Sequence, residues 1–175
     1  MHPIYKHLIR IYKKHNPSKS LNFNKTKKIR EEILDNKLKF PLRFFSQMEV
    51  ADIACGTGDF ALIYGQNGAK KVKGYDFNED ALAIAKKNKK KLKIKNVSFE
   101  KKEFFSIKNQ FDFVSCTGVL HILPDPMKGL NFLTKRVKRK GFLFIAFGTQ
   151  TANVQHNLMK LIINMWGKDE NKKVE

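Results

Sequence analysis

Cysteine is nearly absent from this chain: two residues, Cys55 and Cys116, in 175. Two thiols are too few for a disulfide framework or a zinc site. Both fall at the ends of apolar runs, where small buried side chains are the expectation. Long apolar runs are missing too. None approaches the ~20 residues that a helix needs to cross a bilayer, and the N-terminus interleaves charged with apolar residues where a secretory core would be continuous. A soluble, cytoplasmic protein is expected. Arginine is scarce, 5 of 35 basic side chains. A net charge of +19 suggests a nucleic-acid partner, but lysine lacks the planar fork that grips phosphates and bases bidentately. The excess is also spread evenly: 12 basic against 4 acidic residues in 1–49, 13 against 7 in 50–110, and 10 against 5 in 111–175. The expected result is a lysine-rich solvated surface, with nucleic acid allowed as a partner but not favoured. There are no internal repeats and no low-complexity linker, and the length fits one domain.

What is present is enough to build a core: 42% hydrophobic residues, 15 of them Phe. Residues 3–15 read as a basic amphipathic helix with Ile4, Leu8, Ile11 and Tyr12 on one face. A second helix is expected over 25–38, with Ile29, Ile33, Leu34 and Leu38 inward, ended by Pro41. From there strands alternate with helices. Strands are expected at 49–54, 71–76, 97–102, 111–116 and 141–147. Helices are expected from Asp59 to about Gly65 or Gly68, from an Asn78 cap through Leu92, from Pro126 to Val137, and over 151–166. The lysine run from Lys86 to Lys95 ends one of them, where cations suit the helix dipole. Such alternation with short links means an α/β fold: a doubly wound, mostly parallel sheet between two helical layers, Rossmann-like in kind. Three parts follow: N-terminal helices in 1–47 (packing or lid), a ligand-binding sheet domain in 48–148, and a C-terminal helix and tail in 149–175.

In such sheets ligands sit at the carboxyl ends of the strands. Val50 to Asp59 reads as a buried strand entering a tight turn, where Gly56 and Gly58 let a ligand approach the backbone closely. About 20 residues on, the second strand ends at Asp76, placed to accept hydrogen bonds from paired ribose hydroxyls. A dinucleotide fingerprint needs G-x-G-x-x-G, but that spacing reads Ala54, Gly56, Asp59. An acid there opposes a pyrophosphate and suits the ammonium of a methionine attached to adenosine. S-adenosylmethionine is therefore preferred to NAD.

The same residues carry a resemblance. Val50 to Asp59 resembles motif I of the class I S-adenosylmethionine-dependent methyltransferases, D-x-G-x-G-x-G, with Ala54 replacing the first glycine as in quinone-biosynthesis members. Phe111 to Pro126 is similar to the family's F-D-x-V…G-V-L-H-H-L-P-D-P segment, with Ile122 at the second His. Lys138-Arg139-Lys140-Gly141-Phe142 resembles its L-K-P-G-G turn. The resemblance covers about residues 48–147. It implies cofactor contacts from Asp52, Ala54, Cys55, Gly56, Gly58 and Asp59. It makes Asp76, followed by Phe77, the ribose acid, Glu103 the adenine-binding acid with Phe104 flanking the ring, and it puts Thr117 near the methionine part. His121 is the one ionisable base in the loop facing the methyl group. A structural role is favoured for it over general base, and no metal is implied.

Absences narrow the acceptor. There is no N-P-P-Y or D-P-P-Y, Cys116 stands in S-C-T and not after proline, and no ribose-methylation tetrad can be assembled. The G-V-L-H segment is typical of enzymes acting on small molecules and lipids, so a small-molecule or lipid-like acceptor is expected. An RNA methyltransferase and a non-catalytic cofactor-binding module are the alternatives. The family's C-terminal β-hairpin is missing after Gly148. That would leave the fifth strand as a flat apolar edge, to be covered by the last helix, by a partner subunit in a dimer, or by further chain; the expectation leans to a fragment of a longer enzyme.

Overall fold

A computed structural model describes residues 23–32, 34–35 and 41–146. The expected helices at 3–15 and 151–166, the inward roles of Ile29, Ile33 and Leu38, and the question of a C-terminal hairpin lie outside the described residues. The elements are α1 (Phe23–Glu32), β1 (Glu49–Ile53), α2 (Asp59–Gln66), β2 (Lys71–Asp76), α3 (Glu79–Lys91), β3 (Val97–Lys101), β4 (Phe111–Thr117), α4 (Pro126–Thr134) and β5 (Val137–Ala146). Short 3-10 turns cover Leu42–Phe45, Phe104–Ser106 and Leu120–Ile122.

The strands form one sheet in the order β3-β2-β1-β4-β5, with every neighbouring pair parallel. Chain order reverses between β1 and β4, so a crevice opens at their carboxyl ends. Alternation along the strands explains the two faces. Val50, Val72, Phe113 and Phe144 pack with Phe60, Leu62, Ile63 and Tyr64 on one side. Ala51, Ile53, Tyr75, Val114 and Cys116 pack with Phe104, Ile107, Leu120 and Leu133 on the other. Leu34 and Phe45 are fully buried in the first cluster. The segment before the sheet is therefore part of its core.

Helix starts follow their chemistry. Asn78 caps α3 by accepting from the amides of Asp80 and Ala81, as its side chain predicts. Asp125 caps α4 by accepting from Lys128 N at 2.8 Å. The lysines from Lys86 to Lys95 are exposed or half-buried along and beyond the end of α3. From β1 onward most boundaries fall within a residue of expectation, and two differ by more. α4 stops at Thr134 and β5 begins at Val137, because Val137 already pairs with Phe111. The basic stretch read as a turn before the strand is an irregular part of the strand, with Lys140 at φ +66°.

Candidate functional site

Under the β1–α2 junction lies Asp52, 2% exposed. Its carboxylate accepts from Ser115 Oγ at 2.7 Å and from Ala61 N at 3.2 Å. The second bond serves α2 directly. Its N-cap is Gly58, which has no side chain to offer, so an acid on the strand below satisfies one of the free amides of the first turn. Burial pushes the Asp52 carboxyl up to about 7 against the pull of those bonds.

Above it the chain turns through three residues at positive φ: Ala54 (+60°), Gly56 (+52°) and Gly58 (+79°). Gly56 N donates to Asp76 Oδ2 at 2.7 Å, and Asn78 N to Asp76 Oδ1 at 2.8 Å. The loop after β1 and the end of β2 are thereby joined. With the Phe77 amide also bonding it, the Asp76 carboxylate has three backbone donors and, with about four acceptor sites in all, keeps room for a further one. Burial raises the Asp76 carboxyl, opposed by the amides it accepts from.

These residues border a cleft of about 280 Å³. Asp52, Ala54, Cys55, Gly56, Asp59, Asp76, Phe77, Phe104 and Thr117 all line it. Burial and Asp52 push the Cys55 thiol well above its usual range, and burial takes Cys116 up to about 12. Both shifts disfavour the thiolate; Cys116 is buried as expected, whereas Cys55 is half-buried and faces the cleft. Among the described residues no cluster of His, Cys, Asp or Glu could hold a metal.

Three expected site residues fall outside the lining. A Cβ on Gly58 would meet Phe99 at 2.6 Å, so this glycine serves packing below the loop. Glu103 is exposed. Lys102 N bonds Asp76 O, Lys102 lines the cleft and Phe104 turns inward, which leaves the intervening side chain in solvent. His121 is exposed as well. Its turn buries Leu120 and gives Ile122 to the cleft. Conversely, Arg30 of α1 lines the cleft, and no local pattern in the sequence marks it.

The sequence profile of a family described as "Methyltransferase domain" matches residues 44–173. The chain belongs to this family. It is 30% identical over 102 residues to the ribosomal protein L11 methyltransferase of Dictyoglomus turgidum, a match covering 58% of this chain and 32% of that protein. It is 33% identical over 97 residues to the demethylmenaquinone methyltransferase of Bacillus mycoides, covering 51% and 40%. The chain thus spans about a third to two fifths of the length of these curated relatives. Among solved structures, a SAM dependent methyltransferase from Aquifex aeolicus superposes with a TM-score of 0.55 at 26% identity, over 72% of each chain.

The methyl donor of this methyltransferase family is S-adenosylmethionine, and the cleft fits it. A Cβ built on Gly56 or on Gly118 meets no atom within 4 Å, so the backbone is bare where the cleft approaches it. Asp76 offers its acceptors beside apolar Phe77, Phe104 and Ile107, a pairing that suits a ribose and a purine. Asp59 and Arg30 bring opposite charges to the same cleft, as a zwitterionic amino acid requires.

Proposed function

We propose that this chain is the cofactor-binding part of an S-adenosylmethionine-dependent methyltransferase whose acceptor is a small molecule or a lipid-like molecule. When bound, the cofactor supplies a methyl group on a sulfonium, which an acceptor lone pair can take by in-line displacement. Asp76 orients the ribose through its remaining acceptor site. Phe77, Phe104 and Ile107 hold the base by apolar contact. Asp52 and the loop from Ala54 to Gly58 keep the backbone in place beneath. Thr117 and Gly118, at the end of β4, border the part of the cleft beyond the loop. The chain's contribution is alignment and exclusion of water, which can be worth several kcal/mol. Nothing in this reading requires His121 to take a proton.

One observation carries the acceptor class. Past Thr117 the cleft wall is Val119, Ile122 and Leu123, with no amide-cradling Asn or Asp-Pro-Pro sequence. An apolar wall favours an apolar acceptor, because a buried polar one would be left without hydrogen bonds. The similarity to a demethylmenaquinone methyltransferase points the same way. The similarity to a ribosomal protein L11 methyltransferase supports a second reading, a protein acceptor.

The experiment is transfer of radiolabelled methyl groups from S-adenosylmethionine into a cell extract, followed by fractionation. Label is expected in the organic-soluble or small-molecule fraction. Label released only by protease would establish the second reading, and label released only by nuclease would move the acceptor to RNA.

A further inference from the structure

Two arginines, Arg30 and Arg136, lie over a phenylalanine ring with a buried Nε that has no partner, and of the two it is Arg30 that borders the cleft. Its guanidinium stacks 4.5 Å over the Phe60 ring and borders the cleft. Its Nε is buried and has no hydrogen-bond partner. Its charge acts on the carboxylates of Asp52 and Asp59, yet among the described residues it forms no ion pair within 4.0 Å. A buried N–H without an acceptor is rare in proteins and asks for an explanation. Here the explanation is on the cleft side, since the protein side is the face of an aromatic ring.

Position narrows what the missing acceptor is. Asp76 and Phe77 line the cleft from the end of β2, Asp59 and Phe60 from the start of α2, and Arg30 lies over the Phe60 ring. Asp59 is half-buried, and its carboxyl is pushed up by burial while Arg30 pulls it down. The pair is held close enough to feel one another and too far apart to neutralise one another. A ligand carrying both an anion and a cation satisfies both groups at once. Phe60 fixes the guanidinium plane, so the fork loses little freedom on binding.

We propose that Arg30 is the residue that binds the carboxylate of the cofactor's methionine moiety, so that α1, an element outside the sheet, completes the cofactor site. This rests on the S-adenosylmethionine reading above. Arg30 is assigned to binding and positioning, not to the methyl transfer itself.

The test compares two ligands that share the adenosyl part. S-adenosylhomocysteine carries the amino acid, whereas 5′-methylthioadenosine lacks it. Calorimetric titration of the full chain should show Arg30→Gln binding S-adenosylhomocysteine about 10- to 100-fold more weakly, the usual effect of losing hydrogen bonds to a charged group. Affinity for 5′-methylthioadenosine should stay within about twofold. Arg30→Lys keeps the charge and cover on Phe60 but not the fork. It should lose about three- to tenfold for S-adenosylhomocysteine alone, and it decides the matter should the Gln variant fail to fold. Equal weakening for both ligands, or no weakening for S-adenosylhomocysteine, overturns the assignment. Failure of the unaltered chain to bind either ligand overturns the cofactor reading itself, and the assignment with it.

Discussion

Asp52 is one residue through which pH reaches the stability of the fold. Its folded-state carboxyl is raised to about 7 from an ordinary 3.8. Between those values the unfolded chain has released the proton while the folded one retains it. Folding therefore takes up a proton, and stability falls as pH rises through roughly 4 to 7, levelling above. Glu49 runs the other way. Lys138 bonds it and holds it below its usual value, so its contribution is present above the unfolded value and lost in acid. Comparing wild type with Asp52→Asn cancels such common groups. Asn can keep both contacts, its carbonyl accepting from Ala61 N and its amide donating to Ser115 Oγ. The stability difference between the two proteins, from urea unfolding, should shift by ~2–4 kcal/mol in favour of the variant from pH 4.5 to pH 7.5. A difference that stays constant with pH would show that Asp52 does not titrate there. The residue scale also shows where sequence reading reached its limit. The place of Asp76, Gly56 and Phe77 at the cleft is legible because it follows from one local pattern, a strand end and a turn. Glu103, the acid that the resemblance implies, is exposed, and its neighbour Lys102 lines the cleft, because side chains alternate between cleft and solvent where the chain leaves β3. Arg30 was invisible because only tertiary packing of α1 on Phe60 brings it to the cleft.

At the scale of the element, the β1–α2 loop separates two glycines that the sequence makes look equivalent. Gly56 has space around it and Gly58 does not. An Ala at either position must adopt a left-handed backbone, costing about 1–2 kcal/mol. At Gly58 its methyl would also press on the Phe99 ring at 2.6 Å and on Ala85 Cβ at 2.9 Å, and overpacking adds about 1–3 kcal/mol. Gly58→Ala should therefore lose markedly more stability than Gly56→Ala in thermal unfolding. Gly56→Ala should instead lose affinity for S-adenosylhomocysteine, since its new methyl occupies open cleft. Equal stability losses would mean that Phe99 yields freely. Elements themselves were read well wherever period and caps agreed: α3 begins at its Asn78 cap, and β2 occupies the residues expected of it. The start of β5 at Val137 is not legible, because Lys138, Arg139 and Lys140 read as a turn. Their strand character comes from pairing with β4 and not from their own propensity.

The whole molecule depends on how β5 is held against β4, because Gly118 N bonds Ala146 O at the cleft end of that pair. At the other end, Lys138 Nζ reaches Glu49 Oε2 at 2.8 Å and Asp112 Oδ1 at 3.2 Å, and Asp112 Oδ2 accepts from Glu49 N at 2.8 Å. Three strands are tied at their amino ends, though through partly exposed charges that water and salt screen. Between these ends, Phe111 pairs with Val137 and Phe113 with Phe142. Two steps on β4 thus face five on β5, and the surplus residues must loop out. Gly141 closes that loop. A Cβ there would lie 2.7 Å from Asp112 O and 3.0 Å from Lys138 O, and backbone atoms on both sides leave nothing flexible to give way. Gly141→Ala should therefore push β5 off β4 and lower stability by about 1–3 kcal/mol. Lys138→Met should cost less than about 1 kcal/mol, and less still in high salt. Urea unfolding of both variants at low and high ionic strength checks the pair. If the lysine change proved the costlier, the ionic tie and not the backbone contact would be what keeps the fifth strand in register.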